Sequence, residues 1–493
     1  VAIMNWKRVA FIIISELIII GSFGYLYGIA SQPKLRDYVG DEVWYVPASR
    51  NILHRLGVEL HYVNETTNAE GVNVIFSNTS MRIKYQYSVE KIALRYNATY
   101  EKKYLKFPGV YFEIPVENLG AFLDELEREI PSDAYYVVTG YWYPDKENIQ
   151  NYLNTEHPFL GKDLIMLGML IEDKPINWRL PGLIAFFILN VLVLLTAYKI
   201  SRSYLAALIA LLFSAADPTL QATAVAAMLD IHVAFFVALF MALLVFERRY
   251  SAGFAVGLAA AAKLSGAFGW PVLLVRAFKR ENNLPSFLFT IAAFPAIGFL
   301  LPNVPAMMAI GIEKWFREFL GSFRWHLSSK GGHPAASPFW QWFINKKAFA
   351  LHYDPNIFVQ TDPFLLLAMV VFIFAMPWLY RRKPKILVPF GIFWSTVGFF
   401  ALQYLLGGTT QFSFYATVLV PPAAVTMGVA LNELLNWDAF RESREFYIEW
   451  GIKVKNRIIG RLGRGERPTG RDDQGTSENI EEKPITGLET SRK

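Results

Sequence analysis

The chain has 493 residues, 53% of them hydrophobic and 15% aromatic, with a formal net charge of +6 and no cysteine. Soluble domains carry about 45–50% apolar residues, so an ordinary soluble enzyme is excluded, and a disulfide framework, a thiolate metal site and a cysteine nucleophile are excluded with it. The basic residues sit in short clusters at the ends of apolar stretches rather than in one aromatic-studded patch, which argues for membrane orientation and against nucleic-acid binding.

The first predicted element is a spanning helix from about Val9 to Ala30, preceded by Lys7 and Arg8 and lacking a small-residue cleavage site. It reads as a retained anchor that starts in the cytoplasm. The polar region from Ser31 to about Asp173 then lies outside, and it holds three glycosylation sequons, at Asn64, Asn78 and Asn97. Inside it, Val72–Phe76 and Tyr135–Thr139 have strand composition. Residues 116–130 place Leu119, Phe122, Leu123 and Leu126 at helical spacing. A small extracytoplasmic α/β insert over residues 60–150 is expected, with Tyr141, Trp142 and Tyr143 as exposed aromatics beside the membrane.

Leu164–Ile171 is too short to span and predicts a helix lying along the interface. Further spans follow at about 178–198, 204–216 and 229–246. Gly253–Ala262 and Ala267–Val275 form a short hairpin broken at Ser265-Gly266, and another span covers about 287–301. A second outer loop (302–362) precedes three last spans within 363–431. Ten spans with both termini cytoplasmic are expected of a multi-pass plasma-membrane protein. The divisions are 1–59 (first span and start of the catalytic loop), 60–150 (insert), 151–301 (interfacial helix and spans two to seven), 302–362, 363–431 and a tail, 432–493. The tail begins amphipathic, with Phe440, Phe446, Ile448 and Trp450, and ends disordered from Arg464.

Several residues could carry chemistry. Asp41 and Glu42 follow the first span, where a partly desolvated carboxylate can take a proton from a hydroxyl. A solvated pair at a helix start is the plainer reading. Glu156, His157 and Lys162 fall at headgroup level, suited to a lipid phosphate or simply to anchoring. Arg179, Asp230 and Lys263 lie near the outer ends of their spans, where ionisable groups are costly and usually functional. Glu16, deeper in the first span, has no assigned role. The second outer loop adds His326, His333 and Trp340, able to hold phosphate and stack on a sugar, or to form an interfacial girdle. A zinc site from His326, His333 and Glu42 is conceivable, but nothing in the spacing demands one.

Taken together, Asp41-Glu42, Glu156 to Lys162, Arg179-Leu180-Pro181, Met228-Leu229-Asp230, Lys263 to Gly266 and His333 to Trp342 occur in the order of the dolichyl-phosphate-mannose–protein mannosyltransferase family, which the chain resembles. The departures are Phe159 in place of a second proline and Ala224–Ala227 where the family carries a basic residue. The first-loop insert is larger than expected, and the second loop is too short for a β-trefoil, as in a prokaryotic or archaeal-type member. The resemblance implies an α-helical polytopic GT-C fold and an inverting transferase. It implies a polyprenyl or dolichyl phosphate-linked sugar as donor, mannose by analogy, and Ser/Thr hydroxyls of exported proteins as acceptor, at the outer face. Asp41 would be the base; His157, Lys162, Arg179, Lys263 and His333 would hold the donor phosphate. Glu42, Glu156, Asp230, His326 and Trp340 would orient acceptor or cations. No cofactor is required, a divalent metal is not demanded, and the oligomeric state stays open. Transfer to a lipid or glycan is the alternative within the fold. A secondary transporter is disfavoured because no halves repeat and the ionisable groups lie at one boundary.

Overall fold

A computed structural model describes residues 6–281, 283–328 and 332–462. The fold is predominantly helical, and its length and apolarity suit a bilayer. Six helices are long and apolar enough to cross: Trp6–Ala30 (α1), Pro175–Ser201, Leu284–Ile310, Pro363–Arg382, Pro384–Leu405 and Ser413–Leu435. Along α1 the outward side chains are themselves apolar, with Leu17 69% and Ile20 61% exposed, as lipid contact requires. The Ser413–Leu435 helix is almost wholly buried at the centre of the bundle.

The remaining predicted spans are shorter or broken. Tyr204–Ala215 bends by 55° into Pro218–Ala224 and makes a seventh crossing if the pair counts as one. The break has a local cause. Asp217 accepts from the backbone N–H groups of Thr219 and Leu220, both at 2.9 Å, and Pro218 takes the first position of the new helix, where its missing N–H does no harm. Leu229–Val245 is apolar but only 17 residues long. The predicted hairpin is two helices, Arg249–Ala262 and Trp270–Arg280, joined by a 3₁₀ segment from Leu264 to Gly269. Ten full-length crossings are therefore not what length and composition support. The helix expected to end at Leu301 continues to Ile310. The segment 302–362, expected as a second outer loop, is largely structured, with an amphipathic helix, Ile312–Ser328, and a hairpin pairing Phe349–Tyr353 with Asn356–Val359.

The first-loop insert is an antiparallel five-stranded sheet with two helices against one face. Its strands are β1 (Val63–Asn64), β2 (Ala69–Phe76), β3 (Thr99–Lys102), β4 (Gly109–Pro115) and β5 (Tyr135–Thr139). Central β2 pairs with β1, β4 and β5, and β3 flanks β4. Val72, Val74 and Phe76 alternate toward helices Thr79–Arg95 and Leu119–Glu129, where Val89, Ile92, Phe122 and Leu126 complete a closed core; this is the two-residue period of a strand meeting helical spacing.

One expectation is reversed. Tyr141, Trp142 and Tyr143 are not exposed but buried, with Tyr143 under the Arg50 guanidinium at 4.8 Å. They attach the sheet to the helical body. At that junction Arg50 pairs with Asp173 (Nε–Oδ2 2.7 Å, Nη2–Oδ1 3.0 Å), and Asp173 also accepts from Trp178 Nε1 and the Tyr141 backbone. Residues 437–462 form a separate unit, a helix with Trp437, Ile448, Trp450 and Ile452 exposed. The polar run expected to be disordered, 464–493, lies outside the described residues.

Candidate active site

Asp41 is positioned by a tight turn. Gly40 has φ +54°, in the left-handed region that suits glycine, and its N–H donates to Leu351 O at 3.1 Å. Asp41 then stands at the N-cap position of the helix Glu42–Arg55 without capping it. Among the described residues its carboxylate has one hydrogen bond, from Tyr45 Oη at 3.3 Å. It faces a cavity of about 350 Å³ lined by Trp44, Tyr45, Tyr152, Glu156, His157, Trp325 and Tyr415, among others. Burial pushes its pKa up to about 6, against the pull of Lys263.

The neighbouring carboxylate is arranged differently. Glu42 is fully buried and takes Arg179 Nε at 2.7 Å and Nη2 at 2.8 Å, together with the backbone N–H groups of Val39 and Ala227. The other Arg179 donors go to the carbonyls of Ala30, Leu35 and Asp37. All five guanidinium N–H groups are thus committed to protein acceptors, and Arg179 could hold a donor phosphate only by giving up one of these contacts. The pair ties the end of the first span to the start of the second and to the segment before Asp230. Ala227, within the stretch that departs from the family pattern, supplies one of those backbone donors.

Lys162 is also committed. It is fully buried, and its ammonium donates to Asn154 O at 2.5 Å, His157 O at 2.8 Å and Asn154 Oδ1 at 3.3 Å. Burial lowers its pKa to about 7. In this geometry it braces the 154–157 loop rather than presenting a charge to the cavity. The same loop holds Glu156, which accepts from Tyr152 Oη and from Asn154 Nδ2 at 2.8 Å.

His157 and His326 have ring centroids 5.3 Å apart, and His326 Nε2 meets Glu156 O at 3.0 Å. Burial, reinforced by Lys263, pushes His157 well below the usual imidazole range and His326 down to about 4. Both are neutral near pH 7, so neither supplies the positive charge expected of a phosphate ligand. Lys263 does face this region. Its ammonium is 3.0 and 3.2 Å from the Asp230 oxygens and 4.3 Å from the Tyr415 ring centroid. The chain at Lys-x-Ser-Gly needs its glycine, because a Cβ on Gly266 would lie 2.2 Å from Ala259 O. His333 is exposed, stacks on Phe349 and meets Phe412 edge-on. Trp340 is half exposed and packs on Tyr404, outside the residues that line the cavity. Glu16 is exposed on α1, away from this cluster.

Tyr45, Tyr152, Phe414 and Tyr415 also line the cavity, and none of them stands in a motif that marks it in the sequence. The last two belong to an aromatic run, Phe412 to Tyr415, indistinguishable in sequence from an interfacial belt. Tyr415 also borders a second, apolar cavity of about 180 Å³, lined by Lys263, Phe268, Phe323, His326, Phe399, Leu402 and Leu406 among others. The two cavities therefore share the Tyr415 side chain, with Lys263 beside it. Among the described residues no three His, Cys, Asp or Glu side chains gather as a metal ligand set would.

No protein-family model and no curated protein matches the chain. Similar solved structures include ArnT from Cupriavidus metallidurans bound to undecaprenyl phosphate, with a TM-score of 0.46 and 13% identity over 90% of this chain and 62% of that one. The apo oligosaccharyltransferase of Archaeoglobus fulgidus gives a TM-score of 0.39 and 12% identity, covering 92% of this chain and 54% of that one. AglB from the same organism, in complex with an inhibitory peptide and a dolichol-phosphate, gives 0.33 and 14%, covering 58% and 44%. The chain spans less than two thirds of the length of each.

Proposed function

We propose that the chain is a membrane glycosyltransferase that moves a sugar, mannose by the motif resemblance, from a polyprenyl monophosphate to a Ser or Thr hydroxyl of an exported protein. The observation that carries this reading is the junction at Tyr415, where an apolar cavity suited to a lipid chain meets a cavity holding a poorly solvated carboxylate. An amphiphile lying across the junction would put its phosphate beside Lys263 and its sugar toward Asp41.

In the proposed step the acceptor oxygen attacks the anomeric carbon while Asp41 takes its proton. The bond from that carbon to the phosphate oxygen breaks, and polyprenyl monophosphate departs with the electron pair, inverting the centre. Lys263 has three N–H donors, two of them on Asp230, and one remains for the developing phosphate charge. Asp230 then acts as a positioning residue for Lys263. Arg179, Glu42 and Lys162 hold the framework, and Glu156 lines the acceptor side. The active face is the extracytoplasmic one, with the basic helix ends in the cytoplasm.

The direct test incubates purified protein in detergent with polyprenyl-phosphate mannose and a Ser/Thr peptide and weighs the products. A hexose mass gain on the peptide is expected. Gain only on an added lipid or glycan would replace the acceptor, and no gain with any polyprenyl-phosphate sugar would defeat the proposal.

Two further outcomes follow. The base must be ionised, so kcat/KM should fall about tenfold per pH unit below an apparent pKa near 6 and level off above it; a profile flat from pH 5 to 8 would remove Asp41 from the base role. For the face, Leu105→Cys should react with an impermeant thiol reagent in intact cells and Arg381→Cys should not. The reverse labelling would invert the topology.

A further inference from the structure

The end of the helical body away from Asp41 holds a larger crevice, of about 850 Å³, that the proposed transfer does not use. Its distance from the site follows from helix geometry. Arg179 lies one turn into the Pro175–Ser201 helix and Lys199 nearly closes it; twenty residues at a rise of 1.5 Å separate them by about 30 Å. Eight Lys and Arg side chains line the crevice, and they come from three separate segments: the 199–202 turn, residues 276–280, and residues 382–385.

Basic clusters at helix ends are ordinary in membrane proteins and usually face water. Here they converge on one hollow, and their charge is only partly answered. Glu247 is bridged by Arg280 at 3.5 Å and Lys385 at 2.9 Å, and Glu433 by Arg382 at 2.7 Å and Lys383 at 3.5 Å. Lys199, Arg202, Arg276 and Lys279 have no carboxylate at ion-pair distance among the described residues. Below these cations the wall turns apolar, through Val272, Val275, Leu387 and Phe390. Val275 and Leu387 are 54% and 40% exposed on the outer surface of the bundle.

We propose that this crevice binds the phosphate headgroup of an anionic bilayer phospholipid, with an acyl chain along the Val272–Phe390 wall. Four cations without a carboxylate partner among the described residues, set around a hollow, select a phosphate-centred anion. The apolar wall, open at its side, selects an amphiphile over free phosphate. The inference is independent of the transferase reading, since it involves none of the residues around Asp41.

The test uses the full chain purified in detergent and reconstituted into nanodiscs of phosphatidylcholine with or without phosphatidylglycerol. Native mass spectrometry after release should show retained phosphatidylglycerol and little phosphatidylcholine. Lys199→Gln/Arg276→Gln/Lys279→Gln should weaken retention by about tenfold or more, whereas Lys91→Gln/Lys103→Gln/Lys106→Gln, an equal charge loss on the sheet insert, should leave it unchanged. If the triple crevice variant fails to fold, Arg276→Gln alone provides the comparison and should still weaken retention. Equal retention of the two lipids, or equal loss in both triple variants, would overturn the site. Displacement of the lipid by millimolar inorganic phosphate would overturn the lipid assignment and leave a free-phosphate site.

Discussion

Replacing Asp41 by Asn is expected to lower sugar transfer by more than about a hundredfold, within the range a positioned general base contributes. The substitution preserves shape and removes only the capacity to accept a proton. Because the Asp41 carboxylate has a single weak hydrogen bond among the described residues, from Tyr45 at 3.3 Å, few protein contacts depend on its charge. Donor binding should survive, since the groups nearest the proposed phosphate position, Lys263 and Tyr415, are untouched. Initial rates at saturating donor, together with donor affinity measured separately, decide the matter. Near-normal turnover would make Asp41 structural and remove the chemical step proposed above.

Much of this site was legible in the sequence because motif order reports which segments meet. Asp41, Asp230 and Lys263 come from three distant segments, and in the fold all three bear electrostatically on one another. What sequence could not supply was the number of donors each cation keeps for itself. Arg179 and Lys162 look like phosphate ligands by residue type and depth, yet Arg179 has five protein acceptors and Lys162 three. Burial also neutralises His157 and His326, which no spacing rule reveals. In the insert, β2 and β5 and the second helix were readable from period and composition. The helix Thr79–Arg95 is hard to read from sequence, although Tyr85, Val89 and Ile92 lie on one face, because two tyrosines and several charges blur its stripe. The Arg50–Asp173 pair joins residues 123 apart and has no local signature.

The second large effect concerns the adjacent carboxylate, and its sign separates the two residues. Glu42→Gln leaves the Arg179 guanidinium buried without its counter-charge, and Gln cannot accept from Arg179, Val39 and Ala227 with two equivalent oxygens. Breaking a buried ion pair from one side typically costs about 3–5 kcal/mol, so the thermal midpoint in detergent should fall sharply. Arg179→Gln should do the same, and the double variant should lose less than the sum because the two residues act as one unit. Asp41→Asn should instead keep or raise the midpoint at pH 7. The Asp41 carboxyl has its pKa raised by folding, so its protonated form is favoured in the fold. The stability this confers is full below the unfolded value near 3.8 and is lost as pH rises through about 6. At pH 7 the ionised group is a burden that Asn lifts. Glu42 and Asp41 variants with matching thermal midpoints would show that the two carboxylates share one role, and that the division into anchor and base is wrong.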